Sequence, residues 1–213
     1  PFVIQAGDYA AAIQGKVASH PAKDGQSNPF GQALTDADLS VQAFIEVALL
    51  SRYPQINFYG EEYASSLNMK YFNQDAELCV YLDPVDGTLY YRDNLDRFNV
   101  IITVCSRKEI LGAICYIPRR DRLYFAEKGR GAKWLTREEA LNGAAGQKLS
   151  LISESKLAIT FNMPASVSQF KGQFDVIDVA HEYNSKDDCL NMNSLLLGEC
   201  GALFVRRAGL IDW

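Results

Sequence analysis

Glu77-Leu78-Cys79-Val80-Tyr81-Leu82-Asp83-Pro84-Val85-Asp86-Gly87-Thr88 reads as a buried strand that runs straight into an acidic turn. The first half is apolar and rich in β-formers, and Pro84 and Gly87 then punctuate the chain. Crowded carboxylates at a strand end resist joint ionisation unless something neutralises them. Asp83 and Asp86 flank a stiff Pro, Gly87 allows close backbone approach, and Thr88 adds a hydroxyl. Hard oxygen ligands for Mg²⁺ next to N–H groups for a phosphate would use such a stretch, above all with a helix starting near Thr88. Asp-Pro and Asp-Gly are also ordinary turn dipeptides, so the hexapeptide alone equally admits a plain surface turn. It differs from the aspartyl-phosphatase pattern DxDGT, whose acids are two apart and usually near the N-terminus.

The period changes on either side of this stretch. Upstream, residues 3–18 have helical spacing, and 21–32 collect Pro, Gly, Asn and Ser as a loop. Thr35-x-x-Asp38 has the form of a helix cap and opens a second helix. Its expected apolar face is Leu39, Ala43, Phe44, Val47, Ala48 and Leu50. INFYG (56–60) is a short strand ending at Glu61-Glu62. Downstream, 98–105, 110–118, 122–129 and 131–136 read as an antiparallel meander, followed by a soft segment at 137–150. Strands are expected at 157–161, 174–180 and 202–207, with a helix at 189–201. Helices, a meander and then mixed elements predict a layered α/β protein.

Composition narrows the partners. The 213 residues suffice for one sizeable core and are 48% hydrophobic and 22% charged. A net charge of −5 argues against a general binder of nucleic acid or anionic membrane. Arg119, Arg120 and Arg122 read as a solvated hairpin tip. Five scattered cysteines without a CxxC pair fit free thiols in a reducing compartment. No run approaches the roughly 18 apolar residues of a membrane span and no signal pattern opens the chain, so the expected location is cytoplasmic. His20 and His181 read as ordinary surface residues.

With Gly60-Glu61-Glu62 about twenty residues before Asp83-Pro84-Val85-Asp86-Gly87-Thr88, the chain resembles the inositol monophosphatase superfamily, Mg²⁺-dependent and lithium-sensitive phosphatases. Thr35-x-x-Asp38 stands where that family has VTxxD, and 110–134 is similar to its paired hairpins. Residues 195–213 resemble the stretch leading to its WDxAA motif. The resemblance implies an αβαβα sandwich in a single domain, 1–150 carrying the metal site and 151–213 forming an incomplete second half. It implies Glu61, Asp83 and the Val85 carbonyl on a first ion, and Asp83 and Asp86 on a second. Gly87 and Thr88 would offer N–H groups to phosphate, and Glu61 and Thr88 would orient the attacking water. Thr35 and Asp38 would support a third ion's water network, making two or three Mg²⁺ in all, and Glu62 would be a helper or solvated.

The implied activity is hydrolysis of a small phosphorylated metabolite, either inositol monophosphate, a nucleotide 3′-phosphate or a sugar bisphosphate. The alternative is a non-catalytic relative that binds metal or phosphorylated ligand. A homodimer follows by analogy only. Pro1 at the start, and Trp213 at the end inside the WD-like motif, lead to the expectation of a chain cut at both ends. Leu89-Tyr90-Tyr91-Arg92 departs from the family's TTNF-like and TKEF-like continuations. The Gly-Ser pair that usually opens the late helix is also replaced, with Asp188-Cys189 near its place. Arg92 and Arg97 are expected to be solvated loop charges rather than substrate contacts.

Overall fold

The computed structural model describes residues 1–21, 33–150, 157–161, 172–186 and 189–205, with Phe30, Met163 and Phe170 as single positions between them. Two helices open it, α1 (Phe2–Ile13) and α2 (Asp36–Leu50). Seven strands then form one sheet in chain order: β1 (Asn57–Gly60), β2 (Leu78–Asp86), β3 (Asn99–Ser106), β4 (Ile110–Ile117), β5 (Arg122–Glu127), β6 (Gly131–Leu135) and β7 (Gln147–Lys148). The β1–β2 pair is parallel and all later pairs are antiparallel, which confirms the meander. The short helix α3 (Thr88–Arg92) sits between β2 and β3, and α4 (Arg137–Leu141) between β6 and β7. The later residues form a parallel sheet ordered β10-β8-β9, from β8 (Leu157–Thr160), β9 (Asp175–Asp178) and β10 (Ala202–Phe204). Single helical turns α5 (Val179–Glu182) and α6 (Asn193–Leu196) accompany it.

The main core lies between the two long helices and one face of the large sheet. Val41 and Ile45 of α2 meet Val80 and Leu82 of β2, and Val100 and Tyr116 close the layer towards α1. Alternation along the strands makes this possible: Val80 and Leu82 are buried there, while Cys79, Tyr81 and Asp83 point to the opposite face. A smaller cluster of Tyr90, Ile159, Val179 and Cys200 joins α3 to the second sheet.

Several expectations shift. Helix α1 stops at Ile13, earlier than residue 18. The capped start of α2 is as expected, but its buried face is Ala37, Val41, Ile45 and Leu49, with Phe44 and Val47 turned outward. The face is rotated because Asp38, Gln42 and Glu46 are also turned inward and buried. A helix occupies part of the soft segment, capped by Thr136 and Glu139. The helix expected over 189–201 contracts to one turn, since Gly198 adopts φ +75 and the chain turns. The hairpin tip is not merely solvated: Arg119 reaches Gln14 and the Ala11 carbonyl, Arg120 pairs with Asp96, and Arg122 lies over the Trp134 ring. Most of the 21–32 loop, with Asp188 and residues 206–213, falls outside the described residues. No described helix is long and apolar enough to cross a membrane.

Candidate active site

The acidic stretch is a bulged strand end, not a turn. Asp83 pairs with Ile101 and Asp86 with Asn99, so three steps along β2 match two along β3. Residues three apart on a regular strand face opposite sides. The one extra residue restores the parity and places both carboxylates on one face of the sheet. Pro84, which has no N–H for the ladder, sits inside the irregularity. The Cys115 thiol on that face is pushed up, first by burial and then by the Asp86 and Asp83 charges, as expected if both acids face it. Asp83 is buried, and its Oδ1 accepts the Val85 N–H at 3.2 Å. Asp86 is half-buried and accepts Asn99 Nδ2–H at 2.6 Å.

Gly87 ends the bulge with φ +85, and a Cβ there would lie 2.7 Å from the Arg97 carbonyl oxygen. Only glycine takes this left-handed backbone under so close a neighbour. Helix α3 starts at the next residue, Thr88, and both of its tyrosines are buried as anchors. Tyr91 donates to the Ala10 carbonyl of α1, and Tyr90 to the Leu190 carbonyl, each at 2.8 Å.

The first turn of α2 meets this unit. Thr35 caps the helix by accepting the Ala37 N–H at 3.2 Å, while Asp38 Oδ2 accepts the Thr35 N–H and hydroxyl at 2.8 and 2.6 Å. Asp38 Oδ1 is thereby aimed at the Thr88 hydroxyl, 3.1 Å away, and that hydroxyl is also 2.9 Å from the Val85 carbonyl oxygen. The Asp38 carboxyl is pushed up to about 7. Burial is the main cause; the Thr35 hydrogen bonds oppose it, and the Glu61 and Glu62 charges add to it. A hydroxyl has one proton for two acceptors. With Asp38 ionised it donates to Asp38; with Asp38 protonated, the carboxyl donates to Thr88, which turns to Val85.

The Glu pair is placed by the β1–β2 pairing. The Glu61 N–H donates to the Leu82 carbonyl at 2.9 Å, setting Glu61 beside Asp83 at the strand ends. A Cβ on Gly60 would lie 2.2 Å from Gln42 Oε1. The Gln42 carboxamide fills that space, accepts the Glu62 N–H at 2.9 Å and donates to Glu46 at 3.0 Å. Glu62 is buried, which corrects the solvated reading; Glu61 is half-buried.

Arg97 is likewise not a solvated loop charge. It is 3% exposed, its NH1 donates to Ser194 Oγ at 3.2 Å, and it forms an ion pair with Glu199. Arg92 stays exposed beside Asp93. His20 pairs with Asp36 and His181 with Asp178. Sequence reading missed Gln42, Asn99 and Asn193. The available signal for Asn99 was a lone carboxamide in the apolar run Phe98–Cys105.

Asp83, Asp86 and the Val85 carbonyl form an all-oxygen donor set on one short stretch. That fits Mg²⁺, which keeps several waters and uses one or two carboxylates. Among the described residues no group of three or more acid, His or Cys side chains is placed to hold one ion. The fit therefore rests on the aspartate pair and the carbonyl.

The chain has recognisable relatives among known proteins. Residues 3–191 match the model of the inositol monophosphatase family. An inositol monophosphatase of Dictyostelium discoideum is 35% identical over 99 residues, which cover 46% of this chain and 35% of that protein. The IMPase of Thermotoga maritima superposes with a TM-score of 0.60 at 15% identity, covering 96% of this chain and 65% of that one. An IMPase/NADP phosphatase complexed with Mg²⁺ and phosphate gives 0.57 at 14%, covering 94% and 62%. At such identities these structures show the fold alone. The chain matches only about a third of the curated relative's length.

Proposed function

Because the chain belongs to the inositol monophosphatase family, we propose that it is part of a Mg²⁺-dependent phosphomonoesterase acting on a small phosphorylated metabolite, inositol monophosphate first among candidates. The observation that carries this reading is the bulge that sets Asp83 and Asp86 on one face, with Asp86 one residue from Gly87 and two from Thr88, which meets Asp38.

Asp83, Asp86 and the Val85 carbonyl would hold the cation, and Glu61 at the neighbouring strand end would help orient the attacking water. When bound, the cation lowers the pKa of a coordinated water and stabilises charge on the phosphoryl oxygens. Thr88 orients the attacking water through its hydroxyl, and Asp38 Oδ1 behind it takes the proton that Thr88 passes on. Thr35 fixes that carboxyl through its other oxygen. Gly87 lets the backbone come close to the substrate phosphate, and the Gly87 and Thr88 N–H groups would face it.

Phosphate release from inositol monophosphate, nucleoside 3′-phosphates and sugar bisphosphates tests the proposal. Release from at least one that requires Mg²⁺ and is inhibited by Li⁺ supports it; no Mg²⁺-dependent release from any would overturn it. A relative that binds metal or phosphorylated ligand without turnover is the second reading. It is favoured by the lack, among the described residues, of a three-ligand group. Mg²⁺-dependent binding of a substrate that is never hydrolysed would select it.

A further inference from the structure

Asn99 is fully buried in a strand whose neighbours Phe98 and Val100 are apolar core. Its Nδ2 spends both hydrogens on oxygens, Asp86 Oδ2 at 2.6 Å and Asn193 Oδ1 at 2.8 Å. Asp86 as a carboxylate only accepts, so its charge fixes which way the Asn99 amide points, and Asn99 in turn fixes Asn193. The remaining atoms of both amides, Asn99 Oδ1 and Asn193 Nδ2, are buried with no hydrogen-bond partner among the described residues. Buried polar groups are ordinarily hydrogen-bonded, so a carboxamide pair inside an apolar core calls for an explanation beyond packing.

The network returns to the same stretch. The Asn193 N–H donates to Asn191 Oδ1 at 3.0 Å, and Asn191 Nδ2 donates to the Arg97 carbonyl at 2.8 Å. That carbonyl is the one lying against Gly87. A chain of hydrogen bonds thus leaves Asp86, passes through Asn99, Asn193 and Asn191, and comes back over the neighbouring glycine.

We infer that Asn99 is a positioning residue for Asp86, holding its Oδ2 and so fixing the orientation of a carboxylate that would ligate a divalent cation, and that Asn193 ties this orientation to the late segment. The inference rests on the proposed role of Asp86 as a cation ligand. A partner that orients a ligating carboxylate commonly changes metal affinity about 10–100-fold when removed.

Mg²⁺ titration of the full chain by calorimetry, with thermal unfolding of each cation-free variant, tests it. Asn99→Leu keeps the branched shape and removes the amide; it is expected to weaken Mg²⁺ about 10-fold while the cation-free protein melts no lower than wild type. Asp86→Asn should weaken Mg²⁺ at least as much, and the double variant no further than Asp86→Asn alone. Should Asn99→Leu fail to fold, Asn99→Ala is read by the same criteria. If Asp86→Asn weakens binding while the Asn99 variant stays within threefold, or the two losses multiply, the positioning role is wrong and the cation site stands. If Asp86→Asn itself binds Mg²⁺ as wild type does, the cation-site reading has failed.

Discussion

The Thr88 hydroxyl lies 3.1 Å from Asp38 Oδ1, across fifty residues of sequence. The capping box of α2 and the first residue of α3 are thereby one unit: the cap that starts a helix also aims the carboxyl that can take a proton. If Thr88 passes a proton to Asp38, Thr88→Ala should lower kcat/KM by about 10²–10³-fold, with Thr88→Ser retaining most of it. Activity should also fall on the acid side of about pH 7, where Asp38 takes up a proton. A Thr88→Ala enzyme within threefold of wild type would contradict this.

Asp38 also couples stability to pH. Its folded pKa of about 7 lies above the ordinary carboxyl value of 3.8, so between these the native state keeps a proton that the unfolded chain has released. This contribution is full below about pH 3.8 and is lost as pH rises through about 7. Urea denaturation in chelator should therefore show about 1–3 kcal/mol less stability at pH 8 than at pH 5 from this group. Asp38→Asn should flatten that slope; a slope of unchanged size would show that Asp38 is not its source.

The late segment is held to the sheet through Arg97. Glu199→Gln removes one charged partner of a buried guanidinium and should cost about 1–3 kcal/mol. Limited proteolysis should then cut faster within 189–205. Unchanged melting and unchanged proteolysis would show the ion pair to be incidental.

Gly87→Ala should cost more than a left-handed backbone alone, which is about 1–2 kcal/mol. Its Cβ would meet a backbone oxygen at 2.7 Å, whereas Gly129 has φ +77 and open space around it. Gly129→Ala is therefore the control for backbone strain. Equal losses from both, measured by denaturation midpoint, would remove the close approach from the account.

Local signals were legible in the sequence and register was not. Thr35-x-x-Asp38 announced α2 because a capping box is written in adjacent residues, and Thr136-x-x-Glu139 carried the same signal for α4 but was passed over. The meander was readable from alternation and turn residues. Strand period alone would have sent Asp83 and Asp86 to opposite faces; the bulge that reunites them depends on β3, which no local pattern reveals. Arg97 looked solvated because Asp93, Asn94 and Asp96 precede it, and its partner Glu199 is about a hundred residues away. The buried face of α2 was misjudged for a related reason. Asp38, Gln42 and Glu46 face inward and hydrogen-bond there, so the most apolar stripe is not the one that packs.

The most direct test of the central claim, that the bulged acidic strand end holds a catalytic cation, is the Mg²⁺-activation curve for phosphate release by wild type and Asp86→Asn. Substrate should be saturating, inositol monophosphate first. Release should rise with Mg²⁺ in wild type and be lost in Asp86→Asn while the fold persists. Release that needs no divalent cation, or an Asp86→Asn curve that overlies wild type, would contradict it.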